Sequence, residues 1–303
     1  MLCNYRKILS ASFSRLFLAI HGAIVVGTLV TVKRDFSYLC FLIGICLLTV
    51  EMFLTLRNTE HGEWTWFSPM VFLYLCSIIP SIFVIELEYL SCRMNNTETN
   101  ISVMTDTQRF CKENTDKLSR YIQIEEELTI LVLIIGRWLM PRGKMSRDQL
   151  AQLLLMYLAL GADILDILEL MKEPSVETNE TITVVGLCLF SWAIMQFTLV
   201  LTQTVSCSSL ETDDSEQLRS SSGVKNCILS LCYTTEVWDV LIAVGMQDGP
   251  FLIYRLYLVT RKGVFNDSMM FFISKNILSV IIQVYRLGVF IYNESSKTKS
   301  FHP

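Results

Sequence analysis

Apolar residues fall in long unbroken blocks along this chain. Blocks of roughly 20 residues, the length of helix that crosses a bilayer, occupy 13–32, 36–56, 67–88, 124–140, 149–170, 182–204, 227–246 and 269–292. The pattern predicts an all-α, polytopic transmembrane helical bundle of about eight spans. A further apolar piece, 250–260, is too short for an ordinary span at about 11 residues. Asp248, Gly249 and Pro250 form a candidate helix break before it, and Arg261, Lys262 and Gly263 end it. That predicts a short broken or re-entrant helix; the alternative is a tight extracellular turn, for which Asp-Gly-Pro is ordinary chemistry.

The polar segments then order the chain as one transmembrane domain, 1–292, with a short tail at 293–303. Arg6, Lys7 and Arg15 precede the first span, and the basic hairpin Pro141–Arg147 separates the fourth and fifth. Both read as cytoplasmic by the positive-inside rule, and the four spans between them make the two signals agree. The N-terminus is therefore expected in the cytoplasm, with Lys33 and Arg34 as weak dissent. The 89–123 loop comes out exoplasmic, and the acidic, Ser-rich 205–226 loop cytoplasmic and too polar to fold alone. Asn95, Asn100 and Asn179 begin sequons that fall on the exoplasmic side, where glycosylation occurs. Cys92 and Cys111 share the exoplasmic loop and are a candidate disulfide, or else two unpaired thiols.

Composition agrees with the pattern. Of 303 residues, 52% are hydrophobic and 18% charged, against about 45–50% and 25% in soluble proteins; mean hydropathy is +0.45. The lipid bilayer is the expected partner, in the plasma membrane or along the secretory pathway. The first apolar run is long enough to span, and no small-residue cleavage site ends it, so a retained signal anchor is expected. A net charge of −4 without a Lys/Arg block gives no footprint for nucleic acid.

Several stretches are distinctive together: "WFSPMVFLYLCSIIPSIFVIEL" (Trp66–Leu87), "LIIGRWLMPRGKMSRDQLAQLLLM" (Leu133–Met156), "GADILD" (Gly161–Asp166), "QDGPFLIYRLYL" (Gln247–Leu258) and "KNILSVIIQVYRL" (Lys275–Leu287). By these the chain resembles the transmembrane protein 26 family over roughly 10–290. The resemblance implies a multi-pass membrane protein and brings no assigned activity, cofactor or catalytic residue with it.

Charges inside the apolar blocks are the chemistry left to explain, since each costs about 2.5–3.5 kcal/mol on insertion scales. Asp163, Asp166 and Glu169 share a stripe about 120° wide on one helix, with Asp163 about 10 Å from its outer end. Asp239 sits at the same depth on the seventh span, with Glu236 one turn deeper on the same face, and Arg255 follows the Gln247–Pro250 break into the same layer. Lys275 or Arg286 supplies a second cation, depending on the direction of the last helix. Asp163, Asp166, Glu236, Asp239 and Arg255 therefore form a candidate intramembrane charged cluster in the outer half. Arg137 lies roughly 15 Å too deep to pair with Asp163; it is expected to snorkel to the inner surface or to pair near Asp148, with Glu51, also inner, as a further candidate partner.

Two readings of the cluster stand side by side. The carboxylates and cations pair and fix helix register, or surplus negative charge lines a cavity that takes a cation, a proton or an amine. No zinc spacing, nucleotide fingerprint, GxSxG or HExxH occurs, so no metal, cofactor or enzyme chemistry is expected. His21 reads as a packed polar residue. The function expected is a non-enzymatic surface receptor-like or scaffold protein with partners at its loops. The alternative is a cation or proton-coupled transporter or channel using the acidic cluster.

Overall fold

The computed structural model describes residues 2–59, 64, 67–98, 106–140, 146–173, 176, 179–199, 240–263 and 267–299, with side chains left out at 2–7, 93–98, 106–117, 290 and 293–299. The chain divides into two compact units, Met1–Val200 and Leu201–Pro303. In the first unit the helices are α1 (Leu2–Lys33), α2 (Leu42–Asn58), α3 (Pro69–Glu98), α4 (Asp106–Leu139), α5 (Arg147–Met171) and α6 (Glu180–Ile194). In the second they are α7 (Gly249–Tyr257) and α8 (Asp267–Lys299). No strand occurs among the described residues.

Local chemistry explains the ends. Arg34 takes a left-handed φ of 51° after α1, and Asp35 then caps the short 3₁₀ segment Phe36–Phe41 by accepting from the Ser37 N–H at 2.9 Å. That donor holds the exposed Asp35 carboxyl below its ordinary range. Ser146 opens α5 with a reciprocal capping box: its hydroxyl accepts from Gln149 N–H while the Gln149 side chain accepts from Ser146 N–H. Asn179 caps α6 through Oδ1, which accepts from Ile182 N–H at 3.3 Å.

The packing of the first unit centres on α1, α3 and α4. Ser10 Oγ donates to Leu139 O, a Cβ on Gly136 would sit 3.2 Å from Leu18, and Tyr121 Oη touches Thr28 Oγ1 at 3.2 Å, so α4 runs antiparallel to α1. Ser14 meets Met70, His21 meets Tyr74 and Lys33 pairs with Glu88, so α3 runs parallel to it. Between α2 and α3 the backbones nearly touch. A Cβ on Gly44 would lie 2.3 Å from Ser77 Oγ and 2.7 Å from Leu73 O, the close approach that small residues permit in membrane helices.

Burial is inverted relative to a soluble protein. Phe13, Leu16, Ile20 and Ile24 of α1 are exposed, as are Ile124, Leu128, Leu131, Ile135 and Trp138 of α4. Arg15, Glu51, Glu86, Glu125, Glu126, Arg137, Asp163 and Asp166 are buried. Apolar groups outside and charges inside suit a lipid solvent.

Five helices are long and apolar enough to cross a membrane: Ile8–Lys33, Phe36–Asn58, Pro69–Cys92, Glu180–Thr198 and Asp267–Val289. The expected count of about eight is not reached among the described residues. The expected spans at 124–140 and 149–170 are helical but interrupted by carboxylates, and most of 227–246 lies outside the described residues. Two expectations are corrected. Much of the expected 89–123 loop is helix, because α3 continues to Glu98 and α4 begins at Asp106. Hydropathy falls there, but no Gly or Pro interrupts 89–98 or 106–123, so nothing stops the backbone. The expected break at Asp248, Gly249 and Pro250 is also continuous helix. Helix precedes the π turn Val244–Asp248, which leads directly into α7 with Pro250 right behind it, and the wider turn accommodates the N–H that proline lacks.

Candidate functional site

The charges of the first unit separate into two kinds. In the Arg15–Glu51 pair both groups are held by several hydrogen bonds. Arg15 Nε and Nη2 donate to Glu51 Oε2 and Oε1 at 2.8 and 2.9 Å, and Nη1 donates to Ala11 O at 3.1 Å. Thr55 Oγ1 donates to Glu51 Oε1 at 2.6 Å and in turn accepts from Trp64 Nε1 at 3.1 Å. This bidentate fork binds α1 to α2 and corrects the candidate Glu51–Arg137 pair. Arg137 instead lies buried beside Met140 Sδ, at 3.6 Å, and near Tyr157.

At the other end the arrangement is sparser. Glu126 of α4 is 1% exposed, and neither of its oxygens accepts a hydrogen bond. Lys172, the residue after α5, brings its Nζ to 3.6 Å, which is ion-pair range without a formed hydrogen bond. Glu86 of α3 lies against the same carboxyl group. A cavity of about 210 Å³ opens beside them, with Glu86, Ser119, Lys172 and Thr183 as its polar wall and Leu90, Ile122, Leu168 and Met171 as its apolar wall. Among the described residues the cavity wall sets one ammonium, that of Lys172, beside the carboxyl groups of Glu86 and Glu126.

The neighbouring Glu125 points elsewhere. Its Oε2 stands 3.7 Å from His21 Nε2, and His21 Nδ1 shares a 2.8 Å hydrogen bond with Tyr74 Oη. His21 is thus a packed polar residue, as read from the sequence, with a carboxyl group facing its second nitrogen.

Of the sequence-derived cluster, Asp163 and Asp166 are buried in the first unit while Glu169 is exposed. Arg255 belongs to the second unit, is fully buried, and lies over the Phe251 and Phe272 rings at 5.7 and 5.0 Å. Lys275 stands 5.8 Å from the Phe272 ring centroid, and Asp248 accepts from Ser279 Oγ at 2.5 Å. Asp163, Asp166, Asp248 and Arg255 each take part in a polar interaction. Glu236 and Asp239 lie outside the described residues, as do Asn100 and the side chains of Asn95 and Cys111. Cys92 is disulfide-bonded. No group of three metal-binding side chains occurs among the described residues.

The all-helical architecture, the lipid-facing apolar surfaces and the buried charges fit a multi-pass protein, and a family model settles which one. The model described as Transmembrane protein 26 matches residues 6–286. The chain belongs to the transmembrane protein 26 family. This family member is an integral membrane protein, and no solved structure matches it. Sequence reading missed Glu86 and Lys172 in the cavity wall of this transmembrane protein 26 relative, Glu126 buried beside them and Glu125 facing His21. The signal was present in α4. Its exposed stripe Ile124, Leu128, Leu131, Ile135 and Trp138 follows helical spacing and turns Glu125 and Glu126 inward.

Proposed function

We propose that this family member is a non-enzymatic membrane protein that binds a small cationic solute, and that its cavity serves uptake or sensing of that solute. The observation that carries the reading is the buried, hydrogen-bond-deficient Glu126 beside a cavity already walled by Glu86 and Lys172. An amine supplies the donors this carboxyl group lacks. The cavity is larger than the roughly 150 Å³ void that holds benzene, and its apolar wall suits a compact hydrocarbon body. A small primary or secondary amine is the chemical class that fits.

The test uses the full chain in lipid nanodiscs with a panel of small amines and inorganic cations. An amine should raise the thermal midpoint in a concentration-dependent way, and Glu126→Gln should weaken binding at least about tenfold, the loss of about 1.4 kcal/mol. If no amine or cation shifts the wild-type midpoint, the reading fails. Flux into proteoliposomes then separates carriage from sensing. The receptor-like alternative draws support from the Cys92 disulfide at the polar end of α3, which suits an outward region that meets protein partners. On that reading Asn95, Asn100 and Asn179 carry glycans.

A further inference from the structure

α4 turns Glu125 toward α1 and α3, near the middle of the span Ile8–Lys33, where it faces His21. Three groups decide where hydrogens sit there. Thr129 is fully buried and its hydroxyl donates to Glu125 O at 2.7 Å, so its single proton is committed and its Oγ1 is left as an acceptor. The Tyr74 hydroxyl lies against both Thr129 and His21 Nδ1. It has one proton and two acceptors to choose between. His21 Nε2 and Glu125 Oε2 have no hydrogen-bond partner, although they face each other across 3.7 Å. Less than 1 Å of approach makes that bond.

We propose that His21 and Glu125 form a site that binds and releases a single proton, with the Tyr74 hydroxyl as its switch. In the deprotonated state Tyr74 donates to His21 Nδ1, the ring carries its hydrogen on Nε2, and Nε2–H donates to an ionised Glu125. When one proton arrives, Tyr74 turns to donate to Thr129, and His21 Nδ1–H donates to the Tyr74 oxygen. The arriving proton is then held between His21 Nε2 and Glu125 Oε2. The two states differ by one proton and one hydroxyl rotation, and each gives every named group a partner. A buried pair fixed in only one state leaves a donor or acceptor unmet in the other, at a cost of about 1–3 kcal/mol.

The surroundings isolate this pair from other charge. From α4, Tyr121 bonds to Glu125 and is itself 43% exposed, so it joins the site to the outside of the bundle. From α2, Ile45 meets Gly22 at this level, and that helix's Glu51 is held by Arg15. On the other flank of α4, Lys172 is engaged by Glu126, and α5 carries the buried Asp163 and Asp166. The proton site needs no solute, so it stands or falls apart from the amine cavity.

Only three histidines occur in the chain. Replacing His61 and His302 by Gln leaves His21 alone for solid-state NMR of isotope-labelled histidine in lipid bilayers, with infrared difference spectra on the same sample. As the pH falls, the His21 ring should leave the Nε2–H tautomer, and a carboxylic-acid or imidazolium signature should appear at the same midpoint. Glu125→Gln should abolish both changes. A His21 signal that titrates with an unchanged midpoint in Glu125→Gln overturns the proposal. So does the absence of any change between about pH 4 and 9. If Glu125→Gln does not fold, the wild-type protein decides alone: ring and carboxyl signals that each follow a step the other does not report overturn the shared proton.

Discussion

Two buried carboxylates of the first unit, Glu51 and Glu126, have nearly the same exposure and opposite surroundings. Glu51 receives three hydrogen bonds, two from one guanidinium and one from Thr55. Glu126 receives none, and its cation stays at 3.6 Å. A planar fork with a hydroxyl added satisfies most of a carboxylate's acceptor capacity. A single ammonium on a flexible stem beside two carboxyl groups does not. Burial alone therefore does not separate a fastener from a binding group; the count of donors does.

That contrast predicts opposite mutational behaviour. The largest effect belongs to Glu51→Leu, which strands Arg15 in the bundle and should cost about 3–5 kcal/mol, while the double variant Arg15→Met/Glu51→Leu should recover most of it. Thermal unfolding in nanodiscs checks this, and a double variant no better than the single one breaks the assignment of the pair as a fastener. Lys172→Met comes next. It removes the one cation near Glu126, but the Lys172 side chain is 37% exposed, so water shares the load and about 1–2 kcal/mol is expected. Thr55→Val keeps the shape and deletes one hydrogen bond to Glu51, for about 1 kcal/mol. Glu126→Gln should be close to neutral for stability, within about 0.5 kcal/mol, while removing amine binding. A loss comparable to that of Glu51→Leu would place Glu126 among the fasteners and erase the contrast.

The all-helical membrane class was legible because span-length apolar blocks have few alternatives in a membrane. The blocks 13–32, 36–56 and 67–88 became α1, α2 and α3, but α1 begins already at Leu2 and α3 runs on to Glu98, since caps and turns, which hydropathy does not see, set the termini. The same blindness hid the cavity. The 124–140 block was taken to begin where hydropathy rises, which left Glu125 and Glu126 at an apparent edge, whereas α4 starts at Asp106 and places them beside the middle of α1. Depth counting offered Glu51 among the partners of Arg137, because Arg15 stood on the expected cytoplasmic flank, whereas Arg15 itself holds Glu51. Pairing depends on which helices are neighbours, and a single sequence does not carry that. The Asp248–Pro250 stretch taught the complementary lesson: a helix runs past a proline when a π turn just ahead of it takes up the lost hydrogen bond.

Glu125 and Glu126 are adjacent on a helix that advances about 100° per residue. One therefore faces α1 and α3, and the other faces α3 and the end of α5. The two carboxyl groups are keyed to one shaft at a fixed angle. Any roll of α4 that lets Glu126 reach further into the cavity must also move Glu125 against His21, so proton and solute would be geared together by the covalent backbone alone, without a relay of intervening side chains.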